Sequence, residues 1–105
     1  MSDTLDLLVI GAGACGLAGA IAAHDAGGSV AILEGRDRPG GNSALSTGSI
    51  PGAGSKYQRA AGIEDSPERM VADLIGVAGQ HDADDLTAMI AAECGPLCEW
   101  LIDGL

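Results

Sequence analysis

The most constraining feature of the sequence is a glycine-rich segment close to its start, Gly11-Ala12-Gly13-Ala14-Cys15-Gly16. An apolar run over residues 5–10 precedes it, and an alanine-rich stretch with apolar residues at helical spacing follows it to about residue 26. Gly27-Gly28 is typical of a helix end, and residues 29–33 form a second apolar run. The pattern predicts a parallel βαβ crossover of about thirty residues, with a first strand buried on both faces.

Each glycine of the turn has a physical reason. Gly11 allows a sharp turn, Gly13 lets the backbone approach a diphosphate, and Gly16 lets the helix pack close to the strand. The free N–H groups at the helix start attract phosphate. Glu34, at the end of the second strand, can accept hydrogen bonds from ribose hydroxyls and would repel a 2′-phosphate. We therefore predict an adenine dinucleotide site that disfavours NADP, against the alternative of an ordinary glycine-rich turn beside a surface glutamate.

The rest of the sequence predicts a long loop followed by helices. Residues 35–55 are rich in Gly, Ser and Pro, which predicts a functional loop. Ser66-Pro67 is a helix start, and that helix should run to about Ala78. Acidic residues within 82–85 begin another helix, which we expect Gly95-Pro96 to end, with a short helical stretch afterwards. The sequence shows no third strand of comparable quality, so the two-stranded sheet should pair with something else.

Charge and composition exclude several classes of partner. The net charge is −10, with 5 basic and 15 acidic residues, so neither nucleic acid nor an anionic membrane is expected as a partner. Asp3 and Asp6 precede the uncharged stretch at residues 7–23, where a signal peptide would carry basic residues. Three cysteines and no secretory signal favour a soluble protein in a reducing, cytoplasmic compartment.

The segment after Glu34 narrows the choice of cofactor. Residues 34–49 read Glu34-Gly35-Arg36-Asp37-Arg38-Pro39-Gly40-Gly41-Asn42-Ser43-Ala44-Leu45-Ser46-Thr47-Gly48-Ser49. This segment resembles the flavoprotein family of soluble fumarate reductases, succinate dehydrogenase flavoprotein subunits and 3-ketosteroid dehydrogenases. Residues 60–68 and 98–101 are similar to the same family, so the resemblance extends over nearly the whole chain.

The resemblance implies an α/β fold, the N-terminal part of a Rossmann-like FAD-binding domain with a parallel βαβ start, a Gly-rich flavin loop and then helices, incomplete alone. Family members that bind flavin covalently carry a histidine where Asn42 aligns, so FAD is expected to be non-covalent. The implied cofactor-binding residues fall into four groups. They are Gly11, Gly13, Ala14, Cys15 and Gly16 for the diphosphate; Glu34, Gly35 and Arg36 for the adenosine; Gly41, Asn42 and Ser43 for the diphosphate, ribityl and flavin region; and Ser46, Thr47, Gly48 and Ser49 for the isoalloxazine.

The same resemblance implies that this chain supplies only part of the FAD site and that a second chain supplies the rest. Residues 1–105 correspond to the N-terminal portion of the FAD-binding domain, and the cap domain and C-terminal FAD half have no counterpart here. We expect hydride transfer between flavin and a carbon–carbon bond of a small-molecule substrate, next to a carbonyl or carboxylate. A second protein chain would supply the catalytic groups. The alternatives are a non-catalytic NAD-binding module or regulatory subunit, and a fragment of a longer enzyme.

The cysteines, the histidines and the acidic cluster are not expected to take part in catalysis or metal binding. Cys15 is interpreted as a small filler rather than a redox group, and Cys94 and Cys98 as buried free thiols rather than metal ligands. No substrate pocket supports a general-base role for His24 or His81. The acidic cluster around residue 84 is attributed to helix capping and a solvated face.

Overall fold

The computed structural model describes residues 4–79 and 83–105, so the predictions for His81 and Asp82 lie outside the described residues. The chain divides into two units, Met1–Ser49 and Ile50–Leu105. The first unit contains β1 (Leu7–Ile10), α1 (Ala14–Asp25), β2 (Val30–Leu33) and a short 3-10 helix (Gly41–Leu45). The second contains α2 (Lys56–Ala60), α3 (Pro67–Ala78) and α4 (Asp84–Asp103).

The predicted βαβ crossover is confirmed. β1 and β2 pair in parallel, with Leu7 opposite Val30 and Ile10 opposite Leu33. Helix α1 ends where the glycine pair predicts, because Gly27 takes a φ of +88° that other residues rarely adopt. The Gly27 N–H donates to the His24 carbonyl at 2.8 Å, so it satisfies a free acceptor at the end of α1.

A side-chain clasp joins the starts of the two strands. The Asp6 Oδ2 atom accepts hydrogen bonds from the Ser29 backbone N–H at 2.8 Å and from its hydroxyl at 2.7 Å. The Asp6 N–H in turn donates to the Ser29 carbonyl at 3.0 Å. These donors hold the pKa of the Asp6 carboxyl below its usual value, the backbone N–H of Ser29 contributing most. The clasp fixes the register of the pair at the end opposite the glycine turn.

The expectation that β1 is buried on both faces is wrong for this chain. Leu8 is 50% exposed, and Ile10, the last residue of the strand, is 84% exposed. Leu33 at the end of β2 is 55% exposed. The physical reason is that one helix packed on a two-stranded sheet covers a single face and leaves the other face and the edges open.

Helix α1 approaches β1 at Gly16. A Cβ placed on Gly16 would lie 2.0 Å from the Gly11 carbonyl oxygen and 3.0 Å from Cγ1 of Val9. No side chain fits that gap, so the third glycine of the turn performs the packing role predicted for it. One turn further along the helix, a Cβ on Gly19 would meet nothing within 4 Å.

In the second unit, α3 starts as predicted, and α4 does not end where predicted. The Ser66 side chain accepts a hydrogen bond from the Arg69 N–H at 3.2 Å and so caps α3. Helix α4 continues through Gly95-Pro96 to Asp103, which corrects the expected break. Pro96 has no N–H to donate to the carbonyl of Ala92, four residues earlier. Both residues are exposed, so water can donate a hydrogen bond to that carbonyl instead.

Gly95 serves close packing rather than helix termination. Its Cβ would lie 2.7 Å from the Ala53 carbonyl oxygen, so the glycine lets α4 run against the loop before α2. Cys94 is buried, as expected for a free thiol, with its sulfur 3.4 Å from that of Met70 in α3. Cys98 is only half-buried, which corrects that part of the expectation.

Two short elements were not anticipated, one within the predicted loop and one directly after it. The 3-10 helix Gly41–Leu45 lies within the glycine-rich segment. Helix α2 begins after Ser55, whose side chain accepts a hydrogen bond from the Gln58 N–H at 3.4 Å. The Gln58 side chain then joins Gly54 N at 2.7 Å to an Asp65 carboxylate oxygen at 2.8 Å, which fixes the loop before the helix.

Among the described helices, none has the length and the apolar character that spanning a bilayer requires.

Replacing Gly16 by alanine should destabilise the first unit by about 1–3 kcal/mol or more, because the added methyl overlaps the Gly11 carbonyl. Gly19→Ala is the matched control in the same helix and should stabilise it by about 0.5–1 kcal/mol, because open space surrounds the added methyl. Urea unfolding followed by circular dichroism measures both. Equal effects of the two substitutions would contradict the close approach at Gly16.

Asp6→Asn should lower the stability of the first unit at neutral pH, since the carboxylate accepts two hydrogen bonds from Ser29. The folded-state pKa of Asp6 is depressed, so its stabilisation is fully present above the usual value of 3.8 and is lost as the pH falls through the lower folded value. The difference between wild type and variant should therefore shrink below about pH 4. Unfolding curves at pH 7 and pH 3 test this, with Asp37→Asn as a control for the loss of one charge.

Candidate functional site

The glycine turn lies at the carboxyl end of β1 and the start of α1. Gly11 has a φ of +103°, a conformation that favours glycine, and its N–H extends the ladder by donating to the Leu33 carbonyl at 2.7 Å. Gly13 is the N-cap of α1 and has no side chain to cap the helix. The first N–H groups of α1 therefore point from a turn without bulky side chains, which suits the approach of a phosphate.

Glu34, directly after β2, fixes the glycine turn that follows β1. Its Oε2 atom accepts a hydrogen bond from Ala12 N at 2.9 Å, and its Oε1 atom accepts one from Arg36 N at 2.9 Å. The backbone N–H of Ala12, then that of Arg36, lowers the pKa of the Glu34 carboxyl. An ionised carboxylate therefore lies at the carboxyl ends of both strands, where the sequence predicts a ribose ligand.

The Gly-Gly-Asn-Ser segment returns to the same turn. The Ser43 hydroxyl accepts a hydrogen bond from Ala14 N at 3.1 Å, and Gly40 N donates to the Ala12 carbonyl at 2.8 Å. A Cβ on Gly13 would lie 3.6 Å from the Ser43 hydroxyl oxygen. Two segments that are about thirty residues apart in sequence thus meet at one place, as the prediction of a common cofactor site requires.

A hollow of about 360 Å³ lies beside this segment. Its size is near the lower end of the range for small-molecule sites. Arg36, Gly41 and Asn42, three of the predicted cofactor residues, line it together. The other lining residues are Arg38, Pro39, Ala44 and Leu45.

The predicted flavin-facing residues form a separate local arrangement. Gly48 N donates to the Ser46 hydroxyl at 3.1 Å, and the Thr47 hydroxyl donates to that of Ser49 at 3.4 Å. All four residues are exposed. The described hydrogen bonds of these side chains stay within the segment, so the structure does not join them to the turn through such bonds. Gly35 is likewise exposed beside Glu34, and Cys15 is exposed in the first turn of α1.

Sequence reasoning missed two residues that shape the site. Ala12, which lies between the first two glycines of the turn, binds Glu34 through its N–H and Gly40 through its carbonyl. Gly40 has a φ of +125°, and its Cβ would lie 2.8 Å from that of Ala44, so only glycine fits there. The Gly40-Gly41 doublet was a detectable signal for this tight turn, whereas nothing in the sequence distinguishes Ala12, which acts through its backbone.

Comparison with known proteins shows which family and which relatives this chain is similar to. The family model described as FAD binding domain matches residues 6–103. Urocanate reductase of Eggerthella lenta is 39% identical over 103 residues, which is 97% of this chain and 17% of that protein. The chain therefore spans about a sixth of the length of this curated relative.

Solved structures agree with the sequence comparison. A flavocytochrome c3 fumarate reductase in an open conformation superposes with a TM-score of 0.84 at 33% identity, over 96% of this chain and 18% of that one. The 3-ketosteroid-Δ4-(5α)-dehydrogenase of Rhodococcus jostii, in complex with 4-androstene-3,17-dione, gives a TM-score of 0.80 at 32% identity, over 94% and 21%. The predicted fold class, a parallel βαβ start followed by helices as found in flavoenzymes, is confirmed.

Glu34→Gln should release one of the two backbone N–H groups that the carboxylate holds, because an amide offers a single acceptor oxygen. Hydrogen exchange at Ala12 or Arg36 should become faster, as measured by NMR. Wild type should lose protection at these N–H groups in acid, when exchange is compared with the intrinsic rate at each pH. The contacts of Glu34 are fully formed above its usual pKa of 4.5 and are lost as the pH falls through its lower folded value. Glu64→Gln is the control; faster exchange at Ala12 in that variant would contradict the assignment.

Proposed function

Because the chain belongs to the family of FAD binding domains, we propose that it holds FAD non-covalently as part of a flavin-dependent oxidoreductase of the fumarate reductase type. The observation that carries the proposal is the meeting of three elements at the glycine turn. They are the N-terminus of α1, the ionised Glu34 carboxylate and the Ser43 hydroxyl. The three provide, in one place, groups for phosphate and for ribose.

The diphosphate would lie against the start of α1. Gly13 presents its backbone without a side chain, and the N–H groups that begin the helix carry the positive end of its dipole. Ser43 accepts from Ala14 N and keeps its own hydroxyl proton, which it can donate to a phosphate oxygen. Cys15, exposed in the same helical turn, fits as a small neighbour of the diphosphate.

The adenosine would lie at Glu34. Both carboxylate oxygens bind backbone N–H groups, and each oxygen has a second lone pair for a ribose hydroxyl. The negative charge opposes a 2′-phosphate, so the proposal excludes NADP. Gly35 and Arg36 would line the adenine side.

The flavin end would follow Gly41, Asn42 and Ser43 toward the segment Ser46–Ser49. The carboxamide of Asn42 carries no nucleophile for a flavin linkage, which supports non-covalent binding. Bound FAD would supply the hydride chemistry. The residues of this chain would orient the cofactor and shield part of it from water.

We further propose that a second chain carries the cap domain, the rest of the FAD site and the groups that bind a small-molecule substrate. The exposed side chains of Leu8 and Ile10 on the two-stranded sheet support a further polypeptide segment there, since two strands make an incomplete sheet. The substrate would present a carbon–carbon bond next to a carbonyl or carboxylate, for hydride transfer to or from the flavin. We place the complex in the cytoplasm.

The competing function is a non-catalytic module that binds NAD. Glu34 and the glycine turn suit NAD equally well. The bonds that bring Ser43 and Gly40 to the turn favour FAD, because an NAD site gives this returning segment no ligand to contact. A colourless protein that binds NAD tightly would support the alternative.

The test is to purify the chain alone and with the product of its neighbouring gene. Flavin absorption bands should appear only in the complex. Gly13→Val should lower flavin retention by about tenfold or more, since its branched side chain occupies the diphosphate approach. Gly76→Ala in α3, where a Cβ meets nothing within 4 Å, is the control. Full flavin binding by the lone chain would contradict the proposed division of the site.

A further inference from the structure

The positive charge of the first unit is gathered at one hollow. Arg36 and Arg38 are the two Lys or Arg residues of that unit, and both line the hollow of about 360 Å³ beside the Gly-Gly-Asn-Ser segment. Among the described residues that line it, none is acidic. The hollow therefore has the opposite charge to the chain as a whole, whose net charge is −10.

The charge of Arg36 is partly balanced by a neighbouring carboxylate. The pKa of Glu34 is lowered first by the Ala12 N–H and, to a smaller extent, by the positive charge of Arg36. The Arg36 guanidinium and the Glu34 carboxylate therefore offset each other for an anion that approaches from a distance.

The charge of Arg38 is not balanced in this way. Its side chain is exposed, and it forms no ion pair with any of the residues that the structure describes. The basic side chains of the second unit do have partners, which are Asp103 for Lys56, Glu99 for Arg59 and the Glu64 carbonyl for Arg69. Arg38 is therefore the basic residue of the described chain that is available to an external anion.

The lining of the hollow continues into both ends of the candidate site. Arg36 follows the proposed ribose ligand, and its N–H donates to a Glu34 carboxylate oxygen at 2.9 Å. Gly41 and Asn42 directly precede Ser43, whose hydroxyl accepts from Ala14 N at 3.1 Å, at the start of α1. The hollow is thus formed by the segment that connects the proposed ribose contact to the proposed phosphate contact.

We propose that Arg38 is a further FAD-binding residue, whose guanidinium attracts the anionic diphosphate of FAD at this hollow and raises the affinity through its charge. The inference rests on the proposed function, since FAD is the ligand. The positive end of α1 contributes about half an elementary charge, whereas a guanidinium contributes a full one and forms charge-assisted hydrogen bonds with phosphate oxygens.

The pairing of two arginines favours a phosphate over the adenine ring as the group that Arg38 meets. Two like charges that line one hollow repel each other, and an anion bound there relieves the repulsion. Stacking on adenine, which a guanidinium also does, needs one planar group and gains nothing from a second charge. Charge rather than planarity is therefore the property of Arg38 that should matter.

The experiment uses the complex that binds flavin, stripped of FAD and titrated with it while the flavin fluorescence is followed. Arg38→Gln should raise the dissociation constant of FAD about threefold to tenfold, as expected for the loss of a partly exposed charge-assisted contact. Arg38→Lys keeps the charge and should retain most of the affinity. Both variants should keep the circular dichroism spectrum, because Arg38 is exposed.

The matched control removes the same charge from the second unit. Arg69 donates to the Glu64 carbonyl at 3.2 Å, within its own part of the chain, and lies outside the lining of the hollow. Arg69→Gln should therefore leave the dissociation constant of FAD unchanged. An equal loss in this variant would assign the effect to net charge and overturn the role of Arg38.

Two further measurements separate attraction to the diphosphate from a structural effect. Raising the salt concentration from about 0.01 M to about 1 M should weaken FAD binding more in wild type than in Arg38→Gln, because salt screens the charge that the variant lacks. Riboflavin has the same ring system without phosphates, so wild type and variant should bind it alike.

Each remaining outcome also decides the matter. A complex that binds flavin, with Arg38→Gln as tight as wild type, preserves the proposed function and overturns this inference. Equal losses in Arg38→Gln and Arg38→Lys would make shape rather than charge the cause, which overturns it as well. A complex that binds no FAD overturns both the inference and the proposed function.

Discussion

The contacts of the Glu34 carboxylate organise the first unit. They join the end of β2 to the turn after β1 through Ala12 N, and to the following loop through Arg36 N. Without an acceptor at this point, the Ala12 N–H would have no partner in a turn that has left the strand ladder. The residue predicted to bind ribose therefore also fixes the backbone on which the phosphate prediction depends.

The loop after β2 also holds the glycine turn. The Ala12 carbonyl accepts from Gly40 N, and Ala14 N donates to Ser43, so each side of the turn is held by the returning loop. Preorganised backbone groups lose little freedom on binding, and a ligand then meets donors that are already aimed. The loop tolerates little change at Gly40, because a Cβ there would lie 2.8 Å from that of Ala44.

Sequence alone predicted the parts of the fold that local chemistry dictates. The glycine pair at 27–28, the Ser66 cap and the crossover all follow from backbone preferences that act within a few residues. The course of α4 through Gly95-Pro96 was mispredicted, because tertiary packing at Ala53 decided it. Sequence reasoning singled out Glu34 by its side chain, and it passed over Ala12, which contacts Glu34 only through its backbone. The roles assigned to the individual cofactor residues remain predictions.

The distribution of charge separates the two units by role. In the second unit, Lys56 pairs with Asp103, and Arg59 with Glu99 at 3.9 Å, so these two basic groups serve the contacts between α2 and α4. The hydrogen bond of Tyr57 to Asp103 adds to that network. In the first unit, Arg36 and Arg38 line a hollow beside the proposed cofactor path, in a chain with a net charge of −10. If the chain binds FAD as proposed, the diphosphate would meet an unfavourable field from the acidic chain, and the positive end of α1 and these two arginines would supply a local attraction.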